Sequence, residues 1–112
     1  MYDTGTASLS CGGEKRPASF REAAERIAKE LVDLLCDKQR EYGHNNILKF
    51  GELGVIIRVS DKIERLITLN WREDQAVSGV KFESQDDTFR DLANYSIIGL
   101  MLRRNWFTLP LE

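Results

Sequence analysis

Apolar residues return at helical intervals over most of the chain. Ala24, Ile27, Ala28, Leu31, Leu34 and Leu35 share one face of a 3.6-residue helix. Ser19 and Glu22 have the spacing of a capping box, with Pro17 just ahead, so the first helix begins at Ser19. It is expected to run to about Tyr42 and to stop at Gly43, which enters the left-handed backbone region at little cost. His44, Asn45 and Asn46 read as a polar connection, with the lone histidine solvated. A second helix is predicted from about Phe50 to Asn70. Val55, Ile56, Val59, Ile63, Leu66 and Ile67 lie on its apolar side, and Arg58, Asp61, Lys62 and Arg65 on the neighbouring one. The β-branched run from Val55 to Val59 would also suit a strand, but the helical period continues through Leu66. Trp71 to Glu83 reads as an irregular link. A third helix is expected to start at Ser84, with Asp87 in its positive first turn, and to end near Arg103 or Arg104.

Between Leu92 and Leu102 the third helix is apolar on nearly every side, and such a helix needs cover on more than one face. Trp106, Phe107, Leu109 and Leu111 add apolar surface in the tail. The predicted fold is therefore all-α: three main helices in a bundle completed by a homo-oligomer, a dimer or a tetramer. Residues 1–18, rich in Gly, Ser and Thr, read as a flexible arm before a helical domain at 19–112.

Composition narrows the function classes. The chain has 112 residues, enough for one domain. Its net charge of −2, with charged residues at 30%, gives no broad basic surface for nucleic acid. Cys11 and Cys36 have no CxxC spacing, so they make neither a disulfide framework nor a zinc site. No apolar run approaches the roughly 20 residues of a membrane span, and the first residues lack a signal-peptide core, so a cytoplasmic protein is expected.

Chemistry is suggested where charges adjoin apolar stripes. Asp87, Asp91 and Asn94 lie on one stripe of the third helix, and Asp61 on the second helix is placed to join them. A Mg²⁺ ion takes hard oxygen ligands, commonly one or two carboxylates plus water and substrate phosphates. Asp61, Asp87 and Asp91 are thus candidate metal ligands, with Glu41 or Glu64 as the group that orients an attacking water. Lys38, Arg58, Lys62 and Arg65 are candidate phosphate contacts, and Tyr42, Trp71 and Tyr95 candidate stacking partners for a base. The same residues also read as ordinary helix-surface ion pairs, such as Asp61 with Arg58 or Arg65, with Asp87 and Asp91 serving the helix dipole. No phosphate-cradling GxxxxGK[ST] loop and no GxGxxG is present, and Ser60 lacks a His/Asp partnership. Gly51 and Gly54 match neither phosphate motif and are expected to permit close helix approach.

In order, Lys38-x-x-Glu41-Tyr42-Gly43, Phe50-Gly51-x-x-Gly54, Arg58-x-x-Asp61-Lys62-x-x-Arg65-Leu66 and Asp87-Thr88-x-x-Asp91-Leu92-Ala93-Asn94-Tyr95 resemble the phage and bacterial family called nucleotide modification associated domain 1. The resemblance covers roughly residues 20–104. That family is in turn distantly similar to the MazG-like all-α nucleotide pyrophosphatases, oligomeric helical bundles that use Mg²⁺ to cleave nucleoside triphosphates. The resemblance implies a nucleotide-phosphate pocket that includes Lys38, Tyr42, Arg58, Lys62 and Asn94. It also implies a phosphoanhydride hydrolase or, alternatively, a nucleotide-binding module without turnover. The acidic pattern departs from the pyrophosphatases: Asp87 and Asp91 are four apart, and Thr88 stands where a glutamate three residues before Asp91 would fall.

Overall fold

The computed structural model describes residues 15–71 and 79–112, the stretch 79–84 by its backbone alone. It contains three helices, α1 (Phe20–Tyr42), α2 (Asn45–Trp71) and α3 (Gly79–Arg103), and no strand among the described residues. Of the expected arm, residues 1–14 lie outside the described residues. The chain divides into two compact units, Met1–Glu30 and Leu31–Glu112.

In the first unit the start of α1 is capped close to expectation. The Ser19 hydroxyl accepts from the Glu22 amide at 3.0 Å. The Glu22 carboxylate reaches one residue further back than in a standard capping box and accepts from the Ala18 amide at 3.1 Å. Glu22 also accepts from Arg26, one turn on, at 2.6 Å. The predicted apolar face is not buried here: Ala24, Ile27 and Ala28 are exposed.

The second unit holds the remainder of α1 together with α2 and α3. Its main interhelical packing is α2 against α3. Val55, Ile98 and Phe107 form its buried centre, with Leu35, Ile47, Val59, Tyr95, Met101 and Leu102 packed around them. Gly99 faces Val55 across the packed helices, with room for a methyl group: a Cβ there would lie 3.8 Å from the Val55 Cγ1, ordinary contact distance.

Three boundaries depart from the sequence reading. The second helix starts at Asn45, not near Phe50, because the His44 carbonyl already accepts from the Leu48 amide at 3.0 Å. This opening turn is separated from the rest of α2 by Gly51, whose φ of 61° and ψ of −144° break the helix. Gly51 is thus a hinge point, while Gly54 lets the chain fold back: a Cβ there would sit 2.7 Å from the Phe50 Cβ. The third helix begins at Gly79, which puts Ser84 inside it instead of at its cap, and Gly79–Glu83 is helical where an irregular link was predicted. The end of α1 matches expectation, with Gly43 at φ 71° donating to the Gln39 carbonyl at 2.8 Å.

The end of α3 has a device that helical periodicity does not reveal. Asn105 adopts φ 62°, its amide donates to the Leu102 carbonyl at 3.1 Å, and the Trp106 amide donates to the Met101 carbonyl at 2.8 Å. This is a Schellman cap with Asn in the left-handed position. It turns the tail so that Phe107 is buried, with its ring edge-on to His44 at 6.5 Å.

The Gly51 break is testable. A Cβ added at this position would meet nothing within 4 Å, so Gly51→Ala carries only a backbone penalty, of about 1–3 kcal/mol for a region open almost solely to glycine. Gly99→Ala, in ordinary contact distance of Val55 and within regular helix, should be neutral or slightly stabilising. Urea unfolding followed by circular dichroism should rank Gly51→Ala as the less stable of the two variants.

Candidate functional site

Helical periodicity brings the site residues together within the second unit. On α1, Leu35, Lys38, Gln39 and Tyr42 are neighbours at intervals of three and four. On α2, Arg58, Lys62 and Arg65 follow the same rule beside the inward stripe of Val55, Val59 and Leu66. On α3, Asp91, Asn94, Tyr95 and Ile98 make up the facing row. Between them lies a cleft of about 310 Å³, lined by Lys38, Tyr42, Arg58, Asp91, Asn94 and Tyr95, with Leu35, Gln39, Gly43, Asn46, Ile47 and Ile98 completing its wall.

Asp91 organises the charge. One carboxylate oxygen accepts from the Lys38 ammonium at 3.0 Å, and the other lies 3.1 Å from the Lys62 ammonium. One side chain of α3 therefore holds lysines from both other helices. Partial burial pushes the Asp91 carboxyl up, but the hydrogen bonds and charges of Lys38 and Lys62 outweigh it and hold the group below its ordinary 3.8. Lys38 moves the other way, raised above 10.5 chiefly by its hydrogen bond to Asp91, against the effect of burial. The Arg58 guanidinium lies over the Tyr95 ring, 5.8 Å from its centroid. Two lysines thus hold one carboxylate, and the charges lining the cleft, Lys38 and Arg58 against Asp91, leave it net positive.

Asn94 is the other distinctive group. It is only 6% exposed, and neither its amide nitrogen nor its amide oxygen has a hydrogen-bond partner within the protein. An unfilled buried donor or acceptor costs about 1–3 kcal/mol, so native structures seldom tolerate one without a purpose. Asn94 is one of the residues lining the charged cleft, and both of its amide atoms are shut off from solvent.

The other expected site residues separate. Arg65 donates from Nε to the Thr88 hydroxyl at 3.2 Å, so the residue that departs from the pyrophosphatase pattern anchors an arginine. Thr88 is buried, at 2% exposure. Asp87 is exposed and pairs with Arg90 on its own helix at 3.1 Å. Asp61, Glu41 and Glu64 are exposed and do not line the cleft. Among the described residues, no three His, Cys, Asp or Glu side chains are grouped to hold a metal ion. As arranged in one chain, Asp61, Asp87 and Asp91 do not fit a Mg²⁺ cage, since the last is committed to two lysines and the second to an arginine. Sequence reasoning missed Leu35, Gln39, Asn46 and Ile47. The first two were within reach, lying three or four positions from Lys38 and Tyr42; the other two required knowing that α2 starts at Asn45.

The double pairing of Asp91 sets a pH dependence. Its folded-state pKa is depressed, so its stabilisation is present above the ordinary value of 3.8 and is lost as pH falls through the lower folded value. Asp91→Asn should lower the melting temperature at pH 7, and the gap between variant and wild type should narrow as pH falls below 3.8. Thermal melts from pH 2 to 7 check this; a gap that does not narrow with acid would remove the ion pairs as the cause.

No family model, no curated protein and no solved structure matches the chain, so the chemistry of the cleft is read from its own residues.

Proposed function

We propose that this domain binds a nucleotide in the cleft between Lys38, Arg58, Asn94 and Tyr95. The observation that carries the reading is the buried Asn94 amide, whose donor and acceptor are both unpartnered. A nucleobase edge presents an adjacent donor and acceptor and would satisfy both at once. The surroundings suit the rest of such a ligand. Lys38 and Arg58 offer charge to phosphate oxygens, Tyr42 and Tyr95 offer aromatic faces, and Leu35, Ile47 and Ile98 supply apolar wall. The resemblance to the nucleotide modification associated family points to the same ligand class.

Of the two forms this reading can take, binding without turnover is favoured over Mg²⁺-dependent hydrolysis. Asp91, the carboxylate in the cleft, is neutralised by two lysines, while Asp61, Asp87, Glu41 and Glu64 stand exposed away from it. A sequestering or regulatory module needs the cationic and amide groups alone. No described helix is long and apolar enough to cross a membrane.

Asn94→Leu provides the test, because leucine is similar in size and leaves no unfilled polar atoms. The apo variant should melt at the wild-type temperature or above it, the gain amounting to about 1–2 kcal/mol. Ribo- and deoxynucleotides, each with and without Mg²⁺, should raise the melting temperature of the wild type, at 100 Kd by the equivalent of about 2.7 kcal/mol, and leave the variant unmoved. Wild-type indifference to every nucleotide would defeat the proposal, as would an equal response in Asn94→Leu. Release of phosphate or pyrophosphate on the hits would move the reading to a hydrolase.

A further inference from the structure

Beyond the Gly51 break, α2 carries two apolar stripes. Val55, Val59, Leu66 and Leu69 form the buried or half-buried one. On the far side Leu53, Ile56, Ile57, Ile63, Ile67 and Trp71 are 46–81% exposed. They recur at helical spacing from 53 to 71, a stripe about 27 Å long at 1.5 Å per residue. Monomeric soluble proteins seldom leave so long an apolar stripe in water.

Four of the six are self-complementary. Counted from Ser60, they stand seven and three positions before it, at Leu53 and Ile57, and three and seven positions after it, at Ile63 and Ile67. The spacing of these four reads the same in both directions, whereas Ile56 and Trp71 have Glu64 and Lys49 at the mirrored positions. A second α2 laid antiparallel would set Leu53 against the partner's Ile67 and Ile57 against the partner's Ile63, with the small Ser60 on the two-fold axis, where it allows close approach. The opposite orientation is disfavoured by charge. In a parallel pair Glu64, which falls within the stripe one turn after Ser60, would meet the partner's Glu64, and the two helix dipoles would align. In the antiparallel pair the two Glu64 residues lie about 12 Å apart along the axis. The six side chains leave on the order of 600 Å² exposed per chain, so two copies would bury about 1,200 Å², the lower range for a specific interface.

We propose that this face of α2 is an isologous, antiparallel interface with a second copy of the chain, centred on Ser60. The inference does not depend on what occupies the cleft. It adds the outer side of α2 to the expected contact at α3 and the tail, where Ile98 and Phe107 are buried within the chain while Leu100, Trp106, Leu109 and Leu111 stay exposed.

Disulfide trapping at the axis tests it in the full chain with Cys11→Ser and Cys36→Ser. Two cysteines can bridge only when their Cα atoms are within about 7 Å, which the axis allows and position 64 does not. Under mild oxidation at micromolar concentration, Ser60→Cys should form covalent dimer at least about tenfold faster than Glu64→Cys. Separately, Ile63→Asp and the milder Ile63→Gln should shift the light-scattering mass from two chains to one while helical circular dichroism is kept. A single-chain mass for the unmodified protein would overturn the proposal. So would equal cross-linking at positions 60 and 64, or an unchanged assembly in a folded Ile63→Asp, which would mean that copies meet elsewhere.

Discussion

A single carboxylate shared between two lysines ties the three helices of the second unit together. Asp91 on α3 holds Lys38 of α1 and Lys62 of α2, one on each oxygen. The buried centre joins α2 and α3 through Val55 and Ile98, and α1 contributes only Leu35 to its margin. An ion pair that is partly shielded from water is therefore a substantial part of what sets the end of α1 against the other two helices. Such a pair gains more than a fully exposed one, because screening is weaker and each oxygen is matched to a donor. The same geometry places Tyr42, Arg58 and Tyr95 around the cleft that Asn94, about one helical turn after Asp91, also lines.

The ion pair also decides what Asp91 can do chemically. A carboxylate that accepts from two ammonium groups is poorly placed to serve as a metal ligand, since a cation would have to displace both lysines or share their charge. As a counter-charge it keeps Lys38 and Lys62 extended toward one point. An arriving phosphate would meet cations already ordered and would compete with Asp91 for them. Asn94, by contrast, has nothing to give up. Its polar atoms are desolvated and unfilled, a cost that a ligand hydrogen-bonding to both would remove.

Apolar surface is distributed unevenly, and for a local reason. Asn105 ends α3 in a left-handed turn, and that turn buries Phe107 against Ile98 and Val55. The tail thus completes part of the core that the apolar middle of α3 required. On α2 no such device exists. Its inner stripe is covered by α3, while its outer stripe of Leu53, Ile57, Ile63 and Ile67 faces water within one chain.

Helical periodicity and capping chemistry were enough to determine an all-α chain, the Ser19 start of α1, its Gly43 stop and the placing of Lys38, Lys62, Asp91 and Asn94 on faces that could meet. These are local properties: side chains three and four apart share a face whatever surrounds the helix, and a left-handed stop depends on the residue that occupies it. The boundaries at Asn45 and Gly79 were not legible, because a turn of helix with weak apolar pattern forms only when adjoining segments support it. Nor was the fate of the acids. Asp61, Asp87 and Asp91 look alike in the sequence, each a carboxylate beside basic residues at helical spacing. The pairing of Asp87 with Arg90 is local to α3, but only the tertiary structure turned Asp61 outward and brought two lysines from other helices to Asp91. Which of several equivalent charges finds which partner depends on the rotation and approach of whole helices, and short-range spacing carries no record of either.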